Sequence, residues 1–140
     1  MLIVGTIALG AAMQKTGASQ LYAELFLGLF RGAGPLVVLA GFLSLVSIST
    51  QVLSNNATAV LLLPVAISTA AALGVHPKPF IIAVCFGASA CFASPIGYQT
   101  NLLVYGPGSY RFADYLKLGI PLNLLVIFLG TWAIPLLWPF

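Results

Sequence analysis

Charge is what this chain has least of. Its 140 residues hold two carboxylates and five lysines and arginines, so 5% are charged, where a soluble domain carries roughly 25%. A water-facing globular surface cannot be built from so little. Disorder is excluded as well: a disordered chain combines low hydrophobicity with high net charge, and here 61% of residues are hydrophobic. The net charge of +3 is spread over loops and forms no basic face, so no nucleic-acid partner is expected. Histidine is almost missing. His76 stands alone beside Pro77, with no neighbours for a triad or metal cluster, and no enzyme is expected. Cys85 and Cys91, six apart on one expected helix, point to different faces and read as small buried apolar residues.

What remains is long neutral tracts. No charge falls between Arg31 and Lys78, between Lys78 and Arg111, or after Lys117. A membrane-crossing helix takes about 20 predominantly apolar residues. The first tract holds two such segments, the second holds one with a break, and the third holds a final helix. The chain is expected to be an all-α, multi-pass integral membrane protein, with the lipid bilayer as its solvent. Its apolar start, 1–14, is too short to cross untilted and lacks the basic flank of a signal peptide. It is expected to be the end of a helix that begins upstream.

Turn chemistry divides the rest. Gly17 stops the first helix, and Ser19 is expected to cap an amphipathic interfacial helix over 19–30, with Leu21, Leu25, Phe26 and Leu29 on one side. Arg31 to Pro35 is a turn. A helical hairpin over 35–75 follows, turning at Ser54-Asn55-Asn56. The loop His76 to Pro79 leads into a helix over 79–106, interrupted from Ser94 to Asn101. The last helix, over 113–138, is expected to bend at Pro121 and Pro135 without ending there.

Two features carry chemistry. From Ser47 to Thr58 the chain is rich in hydroxyls and amides and has no charge. A turn in water or among head groups usually collects Lys, Asp or Glu. Irregular backbone inside a bilayer survives only when buried in protein or facing a wet cavity, and neutral oxygens can replace the water shell of a hard monovalent cation. The segment reads either as the tip of a re-entrant, ion-holding hairpin or as an ordinary turn whose polar residues join helices. The second feature is the break. Pro95 removes a donor and Gly97 permits unusual torsions, so freed carbonyls suit a cation and a new helix start at Thr100-Asn101 suits an anion. A simple proline kink is the alternative. Two neutral interruptions in neighbouring apolar segments are the pattern that marks the site of a secondary transporter.

Two motifs carry a family resemblance. Ser54-Asn55-Asn56-Ala57-Thr58 with Leu61-Leu62-Leu63-Pro64 resembles the hairpin-tip signature of the divalent-anion/sodium symporters, the sodium:sulfate and dicarboxylate carriers of the ion-transporter superfamily. Pro95-Ile96-Gly97-Tyr98-Gln99-Thr100-Asn101 with Gly106-Pro107-Gly108 is similar to that family's broken helix, and Lys15-Thr16-Gly17 also fits. The resemblance covers nearly the whole chain. It implies one inverted-repeat half of a secondary transporter, the C-terminal repeat, with a re-entrant hairpin and a broken helix. It implies sodium as coupling ion, held by Ser54, Asn55, Gly97 and Asn101, and an anion met by Ser54, Asn55, Asn56, Thr100 and Asn101. Asn56 stands where the signature has Thr, and Tyr98-Gln99-Thr100 stands where dicarboxylate carriers have Thr-Pro-Pro; both departures favour a sulfate-like inorganic anion over a carboxylate.

The resemblance also implies a missing N-terminal repeat, from the same parent chain or a partner, a homodimer of the full carrier, and residence in the cell (inner) membrane. Lys15, Arg31 and Lys78 fall on one side and Arg111 and Lys117 on the other, a balance that leaves orientation open; the resemblance puts the C-terminus outside. The rivals are another superfamily carrier (citrate, arsenite, or sodium/proton antiport) and a non-transporting membrane fragment. Proton coupling by this half is disfavoured because no Asp or Glu lies in the long tracts.

Overall fold

The computed structural model describes residues 2–30 and 32–140; Met1 and Arg31, the latter expected to open a turn, lie outside the described residues. Seven helices follow one another: α1 (Leu2–Lys15), α2 (Ala18–Leu29), α3 (Pro35–Ser49), α4 (Asn55–Leu73), α5 (Lys78–Ser89), α6 (Gln99–Tyr105) and α7 (Phe112–Leu137). No strand occurs among the described residues. Among the described residues only α4 and α7 are both long and apolar enough to cross a membrane, fewer than the four long segments expected from the tracts.

Helix α3 lies at the centre, with Val38, Leu39, Phe42, Leu43 and Val46 all buried. It packs on α5, α7 and α4, while α1 and α2 cover α4 from the other side. Phe42 links three layers edge-on, its ring 5.6 Å from Phe26 of α2 and 5.9 Å from Phe80 of α5. Pro35 opens α3 at its first position, where the missing N–H costs nothing. Pro64, Pro121 and Pro135 all sit inside helices, the last two within an unbroken α7.

Several local expectations are corrected. Ser19 does not cap α2; Gly17 does, in the left-handed region at φ 74°, and Ser19 is buried at the second helical position. The inward face of α2 is Ser19, Ala23 and Phe26, while Leu21, Leu25 and Leu29 point outward. In lipid, leucine gains nothing by burial against protein, and small residues make the close helix contacts. Helix α5 ends at Ser89, so the break covers 90–98, and Gln99, Thr100 and Asn101 already belong to α6. Cys91 therefore lies in the break and does not share a helix with Cys85.

The ends of α3 and α5 set up the site. Pro35 and Lys78 start these helices and their C-terminal ends meet, because Thr50 and Gln51 bond to the carbonyls of Ala88 and Ala90. The turn of the α3–α4 hairpin thus touches the point where α5 stops.

Candidate functional site

The last turn of any α-helix leaves carbonyls without partners, and at the end of α5 side chains of the hairpin supply them. Thr50 Oγ1 donates to the Ala88 carbonyl at 2.8 Å. Gln51 Nε2 donates to the carbonyls of Ser47 and Ala90, each at 2.8 Å, and Gln51 Oε1 accepts the Ala93 N–H at 3.1 Å. In return the Cys91 thiol donates to the Thr50 carbonyl at 3.1 Å. Thr50 and Cys91 are fully or nearly fully buried.

Of the residues expected from sequence, Asn55 joins this network directly. Its Oδ1 lies 2.8 Å from Thr50 Oγ1. That hydroxyl has one proton and faces two acceptors at the same distance, Asn55 Oδ1 and the Ala88 carbonyl. Turning the Asn55 amide, whose O and N are assigned by their partners, would present a donor to Thr50 and free Oδ1 to face elsewhere. A cation among the three oxygens would resolve the same conflict.

Asn101 closes the break from the other end. Its Nδ2 donates to the carbonyls of Cys91 at 2.9 Å and Ser94 at 3.2 Å. Asn55 and Asn101 are connected through Thr50 and Cys91 and make no hydrogen bond to each other. Ser54 caps α4 by accepting the Ala57 N–H at 3.3 Å and is exposed. Asn56 and Thr100 are exposed and take no part in this network.

Gly97 is buried against the hairpin tip, and its role differs from the one expected. Its φ is not positive; the glycines that use the left-handed region are Gly17, Gly32 and Gly74. What Gly97 provides is space. A Cβ there would collide with the Thr50 carbonyl, sit 2.6 Å from Cys91 Sγ and 3.2 Å from the Leu53 carbonyl. On the opposite side of the break Gly119 of α7 performs the same service, since a Cβ would strike the backbone of Phe92 and Ala93. The break is thus held between the hairpin tip and α7 at van der Waals contact.

Sequence reasoning missed Thr50, Gln51 and Cys91 as members of the site. Thr50 and Gln51 were inside the neutral polar run, but nothing in the run says which amide reaches across to another helix. Thr58 was in it too. It lies three residues after Asn55 on the same face of α4, is fully buried, and its Oγ1 has no partner among the described residues. No group of three or more His, Cys, Asp or Glu side chains able to hold a metal occurs among the described residues.

Comparison with known proteins then fixes the lineage. The family model described as citrate transporter matches residues 1–139. The chain belongs to the citrate transporter family. This puts it in the ion-transporter superfamily, in agreement with the two motifs. Among its relatives, an uncharacterized transporter of Synechocystis is 43% identical over 97% of this chain and 22% of its own length. The uncharacterized transporter YfbS of Escherichia coli is 39% identical over 100% of this chain and 23% of its own. Sodium/sulfate cotransporter 1 of Chlamydomonas reinhardtii is 31% identical over 86% of this chain and 14% of its own. The chain spans under a quarter of the length of these relatives. Members of this family are membrane transporters, and the all-helical, apolar architecture agrees with that.

Proposed function

We propose that this chain is the C-terminal inverted repeat of a sodium-coupled symporter for a divalent oxyanion of the sulfate class. It contributes one sodium site and half of the anion site. The observation that carries the reading is the interlock of two uncharged turns, in which Thr50, Gln51 and Asn55 of the hairpin meet the carbonyls and thiol of the break.

Depth supports it. At 1.5 Å per residue the 12 residues of α5 reach about 18 Å from Lys78, and the hydrocarbon core is about 30 Å thick. In this reading the hairpin, whose tip meets the end of α5, turns inside the bilayer in the re-entrant form. In that setting Asn55 Oδ1, Thr50 Oγ1 and the Ala88 carbonyl are the neutral oxygens offered to sodium, with Gly97 providing the close approach, Ser54 shaping the turn and Asn101 fixing the far side. The anion faces the exposed Ser54, Asn56 and Thr100, together with Asn55, Asn101 and the unpaired first N–H groups of α4. Sodium beside the anion lowers the cost of placing two negative charges against neutral side chains, and that mutual stabilisation couples their movements. Sodium/sulfate cotransport by the Chlamydomonas relative supports the choice of ions.

The remainder of the carrier, supplied by the parent chain or a partner, completes the anion site; the full carrier works as a homodimer in the cell's inner membrane. The family's description favours a second reading, citrate as the anion.

The test is uptake of labelled sulfate by the full-length parent in proteoliposomes, driven by a sodium gradient. Asn55→Ala and Asn101→Ala are each expected to lower uptake at least roughly tenfold, equivalent to about 1.4 kcal/mol, with insertion unchanged. Full uptake by both variants refutes the site. Sodium-driven uptake of citrate and none of sulfate transfers the reading to the carboxylate.

A further inference from the structure

Helix α6 is the least secured element of the fold. It has seven residues, none of them buried, and among the described residues it makes no extended packing with another helix. Its position matters because it carries Thr100 and Asn101. Three side-chain hydrogen bonds hold it. Two come from Asn101 Nδ2 to the break, and the third is the Tyr115 hydroxyl of α7 donating to the Asn101 backbone carbonyl at 3.0 Å.

Tyr115 is set for that bond from both sides. Its ring lies 6.0 Å from Tyr110, edge-on, and 6.0 Å from Tyr105 at the end of α6. Tyr110 follows the turn at 106–109, and Tyr115 is in the first turn of α7, where Asp114 caps the helix by accepting the Arg111 N–H at 2.8 Å. The phenol is thus fixed on a 26-residue helix that also abuts the break at Gly119. Beside the bond is a cavity of about 290 Å³, lined in part by Asn101, Val104, Tyr115 and Leu118. With the phenol bond gone, α6 has space to lean toward α7, and its lean would carry Asn101 off the Cys91 and Ser94 carbonyls.

We infer that Tyr115 is a positioning residue of the transport site, a latch that holds Asn101 in register with the broken helix. The inference deepens the proposed symport and rests on it for its transport readout. Tyr115 touches neither ion. Its hydroxyl sets where Asn101 stands, and its two aromatic neighbours keep the ring in place when the hydroxyl is removed.

The experiment uses the full-length parent with Tyr115→Phe, Asn101→Ala and the double variant. Tyr115→Phe keeps the ring contacts and removes one hydrogen bond, so the half-saturating sodium concentration should rise about 2- to 10-fold while the rate at saturating sodium holds. In the Asn101→Ala background the same change should add nothing, since the group it positions is gone. Hydrogen exchange of the amides in 99–105 should quicken in Tyr115→Phe, a readout that needs no transport. Unchanged exchange and unchanged sodium dependence overturn the latch. Faster exchange with an inert Asn101→Ala leaves the latch intact and overturns the transport reading, so the two failures are distinguishable.

Discussion

Gln51 and Ala93 are 42 positions apart, and the Gln51 Oε1 accepts the Ala93 N–H at 3.1 Å. The same amide group donates to the carbonyls of Ala90 and of Ser47 at the end of α3. One uncharged side chain therefore satisfies two backbone groups in the first part of the break and ties them to the hairpin. Ala90 and Ala93 are both buried, so no water waits to replace it. The contact bears on both fold and proposed site, because the segment proposed to meet the ions is irregular and depends on side chains for its backbone hydrogen bonds.

Gln51→Ala should accordingly be more damaging than the loss of a surface amide. It leaves the Ala93 N–H buried without a partner, costing about 1–3 kcal/mol, and the Ala90 carbonyl with only the long 3.5 Å bond from Ser47 Oγ. The full-length parent should show a lower thermal midpoint and sulfate uptake reduced at least tenfold. Gln51→Glu, which keeps the acceptor for Ala93 but loses the donor to Ala90 and adds a charge, should not restore either.

Two glycines separate close approach from helix propensity. Gly119→Ala places a methyl on the backbone of Phe92 and Ala93, and neither backbone has a side-chain rotamer with which to yield. Uptake should be lost, with the break displaced. Gly28→Ala in α2 meets nothing within 4 Å and should leave uptake unchanged while stabilising the helix by up to about 1 kcal/mol. Equal behaviour of the two variants in uptake and thermal unfolding would remove the packing argument.

The helices themselves were legible because their bounds depend on local signals. Pro35 opens α3, the Ser54 turn opens α4, and the loop around Pro77 opens α5. The end of α5 was not legible. Ala90 to Ala93 are apolar residues that read as more helix, and the chain leaves the helix there because Gln51 and Thr50 offer partners to its carbonyls. Gly97 was visible as a breaker, but its use as a gap for the Thr50 carbonyl is a tertiary fact. The polar run Ser47 to Thr58 marked the segment that meets the break without ranking its members: the exposed Ser54 and Asn56 looked as promising as Thr50, which is central to the hydrogen-bond network.

Thr50 joins both motifs through one oxygen. Thr50→Val removes the donor to the Ala88 carbonyl and the contact to Asn55, whereas Thr50→Ser keeps the hydroxyl. The valine variant should lose about 1–3 kcal/mol of stability and require more sodium for half-maximal uptake. The serine variant should stay close to the parent in sodium dependence. A serine variant as impaired as the valine one would mean that the methyl group's packing, and not the oxygen, is what the site needs.

Thr58 sharpens the sodium assignment. A buried hydroxyl without a partner is a cost that valine, nearly the same shape, would remove, so on packing grounds alone Thr58→Val should be neutral or stabilising. If the hydroxyl faces the ion beside Asn55, the variant should behave differently with and without sodium. A ligand that binds the folded state alone stabilises it by RT ln(1 + L/Kd), L being its free concentration, and so raises the unfolding midpoint. The full-length parent should therefore gain thermal stability as sodium replaces potassium, and Thr58→Val should lose that gain while matching or exceeding the parent in potassium. Thr58→Ser should keep it. A valine variant that retains the whole sodium-induced rise puts Thr58 outside the ion's coordination and leaves its oxygen a packing defect.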